Sequence, residues 1–195
     1  MPRAKQRTPE LRDRLLHVAV TTLSEEGFAR FTTRRVAERA GTSVPAVYEL
    51  FDDKAGLLRA VFFQGFRMLG DDLANVSPTG DPLADLERLV PVFRRFCLSS
   101  PKLAQVMFSR PFADFEPGPD ELAAGAAVRE VFIGRIQHCV DRGQLTGDPT
   151  DIAHVLLALV QGLAVQEAGR FLGTSADVVD QRWQVGVRAL LAGLR

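Results

Sequence analysis

Phe31-Thr32-Thr33-Arg34-Arg35-Val36-Ala37-Glu38-Arg39-Ala40-Gly41-Thr42-Ser43-Val44-Pro45-Ala46-Val47-Tyr48-Glu49-Leu50-Phe51 reads as two short helices joined by a tight turn. Val36, Ala37 and Ala40 recur at helical spacing, so Thr33 to Ala40 can turn one narrow apolar face inward. Thr32 or Thr33 can cap that helix, and Gly41 can take the left-handed conformation that ends it. Ser43 is placed to cap the second helix, and Pro45 falls in its first turn, where a missing N–H costs little. Val47 and Phe51 face the core, leaving Val44, Ala46, Tyr48 and Glu49 outward. That is the layout of a helix-turn-helix, whose second helix can lie in a DNA major groove. Val44 and Ala46 suit thymine methyls, and the Tyr48 hydroxyl suits a phosphate.

The flanks extend the motif. Asp53 can cap a helix starting at Lys54, which puts a cation at the positive end of the helix dipole. A phosphate there would relieve the mismatch. The alternative is that Lys54 points into water. Formal charge is zero overall, with 24 basic and 24 acidic residues. Met1 to Gly41 nevertheless carries nine basic and five acidic side chains, a net of +4 where the motif sits. Arg3, Lys5 and Arg7 read as a flexible basic arm over residues 1–8. Such an arm lies along a minor groove or adds attraction independent of sequence.

The run Thr32-Thr33-Arg34, Val36-Ala37, Ala40-Gly41, Ser43, Val47-Tyr48, Phe51, Lys54 and Leu57-Leu58 resembles the DNA-binding domain of tetracycline-repressor-type (TetR-family) regulators, over roughly residues 8 to 58. The resemblance implies that Arg34, Ser43, Tyr48 and Lys54 touch DNA and that Val44 and Ala46 face bases. With Thr33 and Pro45 at the two helix starts, these form the candidate DNA interface. Leu50 departs from the family, which usually carries a histidine or an aromatic there; this bears on one phosphate contact and not on the fold.

Elsewhere the pattern is helical throughout. Helices are expected from Thr8 or Pro9 to Gly27, from Asp53 to about Asn75, from Leu83 to Ser99 and from Pro101 to Ser109. Three more are expected over Asp120 to Arg142, over Asp148 or Thr150 to Leu172, and over about Ala176 to Leu194. No window alternates as a strand, so the fold class is all-α, with a helix-turn-helix domain over residues 1–53 and a helical ligand and dimerisation domain over 54–195. The strings Pro101 to Phe108 and Leu157 to Ala164 resemble one class of ligand domain in the same family, with Gln161 where a histidine is usual.

The last two helices carry apolar stripes wider than one core needs, which points to a second burial partner. The candidate dimer residues are Ile152, Val155, Leu159 and Leu163 on one helix and Val179, Trp183, Val187 and Leu190 on the other. The resemblance implies a four-helix interface between two chains, and a dimer would set two recognition helices about 34–36 Å apart on a palindrome. Phenylalanine is overused, 13 against one tyrosine and one tryptophan. Phe62, Phe66, Phe93, Phe96, Met107, Phe108, Phe112 and Phe132, with Gln161 as a polar anchor, are candidates to line a pocket for a hydrophobic small molecule, as against an ordinary core. Gly56, Gly65 and Gly70 weaken the helix that starts at Lys54, and a ligand shifting that helix would spoil the spacing of the recognition helices.

Cys97 and Cys139 are too few for a disulfide framework and read as buried thiols of a reducing cytoplasm. No signal peptide is expected, because the N-terminus is charged and lacks an apolar stretch. The longest apolar run, Val155 to Val165, is broken by Gln161 and Gly162 and is too short to span a bilayer, so a cytoplasmic, soluble protein is expected. His138 with Asp141 and Asp151 with His154 place histidine near carboxylate, but a helical-bundle metal enzyme needs further glutamates that do not appear. No cofactor, metal or catalytic set is expected. The function implied is a ligand-responsive transcriptional regulator, a repressor in the first instance; a constitutive binder and an activator share the same scaffold.

Overall fold

A computed structural model of the chain describes residues 8–108 and 118–195. The basic arm up to residue 7 and the pocket candidate Phe112 lie outside the described residues. Ten α-helices run through these segments, with no strand among the described residues. They are α1 (Pro9–Glu26), α2 (Thr33–Arg39), α3 (Val44–Phe51), α4 (Lys54–Ala74), α5 (Pro82–Glu87), α6 (Leu89–Ser99), α7 (Pro101–Phe108), α8 (Pro119–Asp141), α9 (Pro149–Ala168) and α10 (Ala176–Ala192), with a 3-10 turn at Phe28–Arg30 after α1. The fold is all-α. The described residues of Met1–Phe66 and Lys102–Ala123 form one compact unit, and Arg67–Pro101 with Ala124–Arg195 form a second.

In the first unit, Thr8 caps α1 by accepting the Leu11 N–H at 3.3 Å. The helix buries Leu15, Ala19, Thr22 and Leu23. The buried Thr22 hydroxyl donates to the Val18 carbonyl at 2.7 Å, which satisfies a polar group that would otherwise be costly inside. Helices α2 and α3 pack in sequence beside α1, adding Val36, Ala37, Val47 and Phe51 to one small core. Leu57, Leu58 and Val61 of α4 are fully buried. Two glycines of α4 have a role beyond weakening it. A Cβ at Gly56 would lie 1.9 Å from the Phe51 carbonyl oxygen, and one at Gly65 would lie 2.5 Å from Met107 Sδ. Bare backbone is what lets α4 approach the end of α3 and lets α7 settle on α4.

In the second unit the expected helix from Leu83 to Ser99 is two helices, broken at Arg88. Pro91 gives the physical reason: it has no N–H for the Glu87 carbonyl, and its ring clashes with the carbonyl four residues back. Asp81 caps α5 through the Leu83 N–H at 3.1 Å. Helix α9 packs on both α6 and α10. Arg94 of α6 joins the three. It donates to both Glu167 oxygens, at 2.8 and 2.7 Å, and to Asp180 at 2.6 Å, with its guanidinium 5.2 Å from the centre of the Trp183 ring. Trp183 Nε1 donates to Glu167 at 2.7 Å, so the indole and both carboxylates are satisfied together. Helix α9 ends at Ala168, short of the expected Leu172, because Arg170 turns to φ 60°. It is the one described helix long and apolar enough, by length and composition, to cross a membrane; Ile152, Ala153, Leu156, Leu157, Val160 and Ala164 are buried in the unit, while Val155 and Val165 are exposed. Cys97 and Cys139 are buried free thiols, and burial pushes them up to about 12 and about 11 respectively.

Candidate nucleic-acid interface

The helix-turn-helix closes by short-range chemistry. Thr32 accepts the Arg35 N–H at 3.2 Å and so caps α2. Gly41 takes φ 64°, and the Thr42 N–H reaches back to the Ala37 carbonyl at 2.9 Å, which turns the chain sharply. Ser43 then accepts the Ala46 N–H at 3.4 Å and starts α3, with Pro45 in its first turn. Val47 and Phe51 face inward, while Ser43, Pro45, Tyr48 and Glu49 are exposed and Val44 and Ala46 half-buried. The outward side of α3 is thus small at its start and carries a phenol one turn later. That profile lets backbone approach base edges while a hydroxyl reaches the flanking strand.

Thr33 is buried, with 8% of its surface exposed, and its hydroxyl lies 3.3 Å from Tyr48 Oη. It therefore orients the phenol of α3 from the first turn of α2. Arg34 is the freest guanidinium of the motif, its side chain 83% exposed, with Glu38 one turn on at 2.9 Å. Lys54 is exposed at the start of α4, where Asp53 caps the helix by accepting the Gly56 N–H at 2.6 Å. Its ammonium sits 4.9 Å from the centre of the Phe28 ring.

The arginines of this basic region do different work. Arg35 pairs with Glu26, and Arg39 bridges Glu25 at 2.8 Å and Glu26 at 3.1 Å, lashing α2 to the end of α1. The hydrogen bond from Arg35 holds the Glu26 carboxyl below its usual range, helped by the neighbouring guanidinium charges. Lys102 of α7 donates to the Glu25 carbonyl on the same rim. These partners are 9 to 77 residues apart, so no helical period signals them.

The pocket candidates divide between the two units. In the first, Phe62 and Phe66 stack tilted at 4.8 Å, and Phe66 meets Phe108 edge-on at 5.7 Å. Met107, 4% exposed, belongs to the same unit. In the second, Phe93 and Phe132 have no exposed surface, Phe96 is 4% exposed and Gln161 is half-buried. The second unit also holds an open cleft of about 340 Å3 between α6 and α10, lined by Val90, Pro91, Arg94, Asp180, Trp183 and Val187 among others. None of the phenylalanines lines it.

The dimer candidates also divide. Ile152, Val179, Trp183 and Val187 are covered within the single chain. Val155 is 54% exposed, and Leu159, Leu163 and Leu190 are half-buried. Leu159 and Leu163 lie within 3.6 Å of where a Cβ would stand on Gly186, which keeps α9 and α10 close. Val185, 60% exposed, extends the uncovered apolar surface beyond the residues singled out by periodicity.

The sequence matches the family model of bacterial regulatory proteins, tetR family, over residues 15–61. It also matches the tetracyclin repressor-like C-terminal domain over residues 86–190. The HTH-type transcriptional repressor KstR of Rhodococcus jostii is 24% identical over 177 residues, which cover 78% of this chain and 82% of that protein. Among solved structures, a protein of unknown function from Rhodococcus sp. RHA1 superposes with a TM-score of 0.83 at 26% identity, covering 97% of each chain. A TetR variant from Acinetobacter baumannii in complex with minocycline has the same fold, with a TM-score of 0.65 at 21% identity over 92% of this chain and 93% of that one.

Proposed function

The chain belongs to the TetR family of DNA-binding transcriptional regulators, and on that premise we propose that it is a homodimeric repressor that binds a palindromic operator and leaves it when a hydrophobic small molecule binds. The observation that carries this reading is the outward side of α3. Its capped, small-residue start and the Thr33-oriented Tyr48 make a surface with no task in the core of its own unit. Arg34 and Lys54 supply phosphate contacts beside it; Val44, Pro45 and Ala46 meet base edges. The functional division falls at residues 53 and 54, where the DNA-facing helices end and α4 begins.

Two copies join through the uncovered parts of α9 and α10, with Val155, Leu159, Leu163, Val185 and Leu190 at the contact, while Ile152, Val179, Trp183 and Val187 support it from beneath. A C2 pairing repeats the recognition helix on both half-sites. The effector is apolar or aromatic, in keeping with the phenylalanine and methionine side chains of the central helices, with Phe62, Phe66, Met107 and Phe108 the candidates in the first unit. Helix α4 is the element it biases: an effector that favours one α4 position by about 1–3 kcal/mol changes operator affinity 5- to 150-fold. Repression accords with KstR, which is named a transcriptional repressor. We assign the chain no catalytic role and place it in the cytoplasm, where its target lies. Selection of bound duplexes from a random pool tests the proposal. A two-fold symmetric consensus with half-sites one helical turn apart is the expected result; enrichment of an asymmetric single site overturns the dimeric operator.

A further inference from the structure

Lys54 stands where a cation is least welcome. It opens α4, and the unpaired N–H groups and aligned peptide dipoles of a helix start carry partial positive charge. A flexible, strongly hydrated ammonium would ordinarily swing away from such a place. Here it lies 4.9 Å from the centre of the Phe28 ring, over the negative face of the aromatic quadrupole.

The backbone puts the ring there. Gly27, at φ 79°, ends α1 and starts the 3-10 turn whose first residue is Phe28. Phe28 is half-buried and so held, without being part of the sealed core. On the other side, the Asp53 cap fixes the first turn of α4, and bare Gly56 sits against the carbonyl of Phe51 at the end of α3. The ammonium is therefore set at a defined place relative to the recognition helix. An ammonium has three N–H donors; a ring beneath it occupies one side and leaves the rest for an oxyanion.

We propose that Phe28 is a positioning residue for DNA binding: its ring holds the Lys54 ammonium in advance for a backbone phosphate. The inference rests on the reading that Lys54 meets a phosphate. A side chain held beforehand has less freedom left to lose on binding, so the ring strengthens the complex without touching DNA. Nothing in the pattern of the sequence links the two residues, which lie on either side of the helix-turn-helix.

The test uses the full chain and a duplex recovered from the random-pool selection, with affinity measured across salt concentrations. Phe28→Leu, Lys54→Ala, the double variant and a series carrying mono-, di- and trifluorinated phenylalanine at position 28 are compared. Because both copies lose the contact, Lys54→Ala should lower the salt slope by about 1.8, two phosphates' share. Phe28→Leu should weaken binding about five- to thirtyfold, the combined strength of two exposed cation–π contacts, one in each copy, and should do nothing more once Lys54 is gone. Fluorination drains the ring face of charge and keeps its shape, so affinity should fall stepwise along the series; that readout stands even if Phe28→Leu folds poorly. Should Lys54→Ala leave the slope unchanged, the phosphate contact fails and the positioning role with it. If Lys54→Ala lowers the slope while fluorination is silent, or Phe28→Leu weakens both backgrounds equally, the phosphate contact stands and only the positioning role is overturned.

Discussion

The helix-turn-helix and the α9–α10 pair are held by opposite means. The first is short helices fastened at their ends by caps, a left-handed glycine and rim ion pairs, so that the outer side of α3 stays outside the core. The second is two long helices fastened along their length by burial and, where α9 ends and α10 begins, by the Arg94–Glu167–Asp180–Trp183 cluster, with apolar surface to spare at Val155 and Val185. A surface stabilised from its ends can be remodelled residue by residue, which suits sequence reading. A surface stabilised along its length tolerates little internal change, and in the proposed dimer a second copy would bury what it leaves uncovered.

That contrast can be broken or sharpened by substitution. The largest effect is expected from Val155→Glu. Val155 is half exposed in the single chain, so the fold should survive, but an unpaired charge buried at a dimer contact costs about 3–5 kcal/mol per copy. Sedimentation should show dimer giving way to monomer, with duplex affinity lost alongside; an unchanged dimer would remove α9 from the interface. Nearly as large is Phe132→Ala, at about 3–5 kcal/mol in urea unfolding, because the ring has no exposed surface and its loss leaves a cavity. A loss below about 1 kcal/mol would identify it instead as the wall of an adaptable pocket.

Gly56→Ala should come next, destabilising by about 1–3 kcal/mol through overpacking against the Phe51 carbonyl. Unlike Val155→Glu, it should disturb duplex binding without altering the oligomeric state, because it displaces α4 from the end of α3. The smallest effect is on pH dependence. Glu26 of the first unit and Asp85 of the second both have carboxyls held below their ordinary values of 4.5 and 3.8. At Glu26 the Arg35 hydrogen bond is the cause. At Asp85 burial works the other way, and the Thr79 hydrogen bonds with the Arg135 charge outweigh it. A depressed folded value means the stability is fully present above the unfolded value and fades as pH falls through the folded one. Unfolding free energy should thus be flat from neutrality to about pH 5 and drop below about 4.5. Arg35→Met should trim the part of the drop that belongs to Glu26.

What could be read in the sequence follows the same divide. Caps, a turn glycine and a first-turn proline act within four residues, so Thr32, Gly41, Ser43 and Pro45 announced their roles directly. The all-α class followed as readily from unbroken helical periodicity. The break at Arg88 was legible too, had the carbonyl that Pro91 leaves unpaired been counted. By contrast, a wide apolar stripe cannot say which of its sides meets the same chain. Trp183 and Val187 are inward and Val155 outward, yet all satisfy the same spacing. The phenylalanines posed the same difficulty, since a ring's identity does not tell a sealed core such as Phe93 from an edge-on cluster such as Phe66 with Phe108. Pairings over long sequence separations, Arg39 with Glu25 or Lys54 with Phe28, left no periodic trace at all.

The central claim is that two copies of one chain present two α3 helices to one duplex. Titration of the purified protein into a selected duplex, with stoichiometry and salt dependence read in the same experiment, tests it most directly. Two chains per duplex are expected, with a linear fall of log affinity with log salt whose slope reflects several neutralised phosphates. One chain per duplex, or an affinity indifferent to salt, would contradict it.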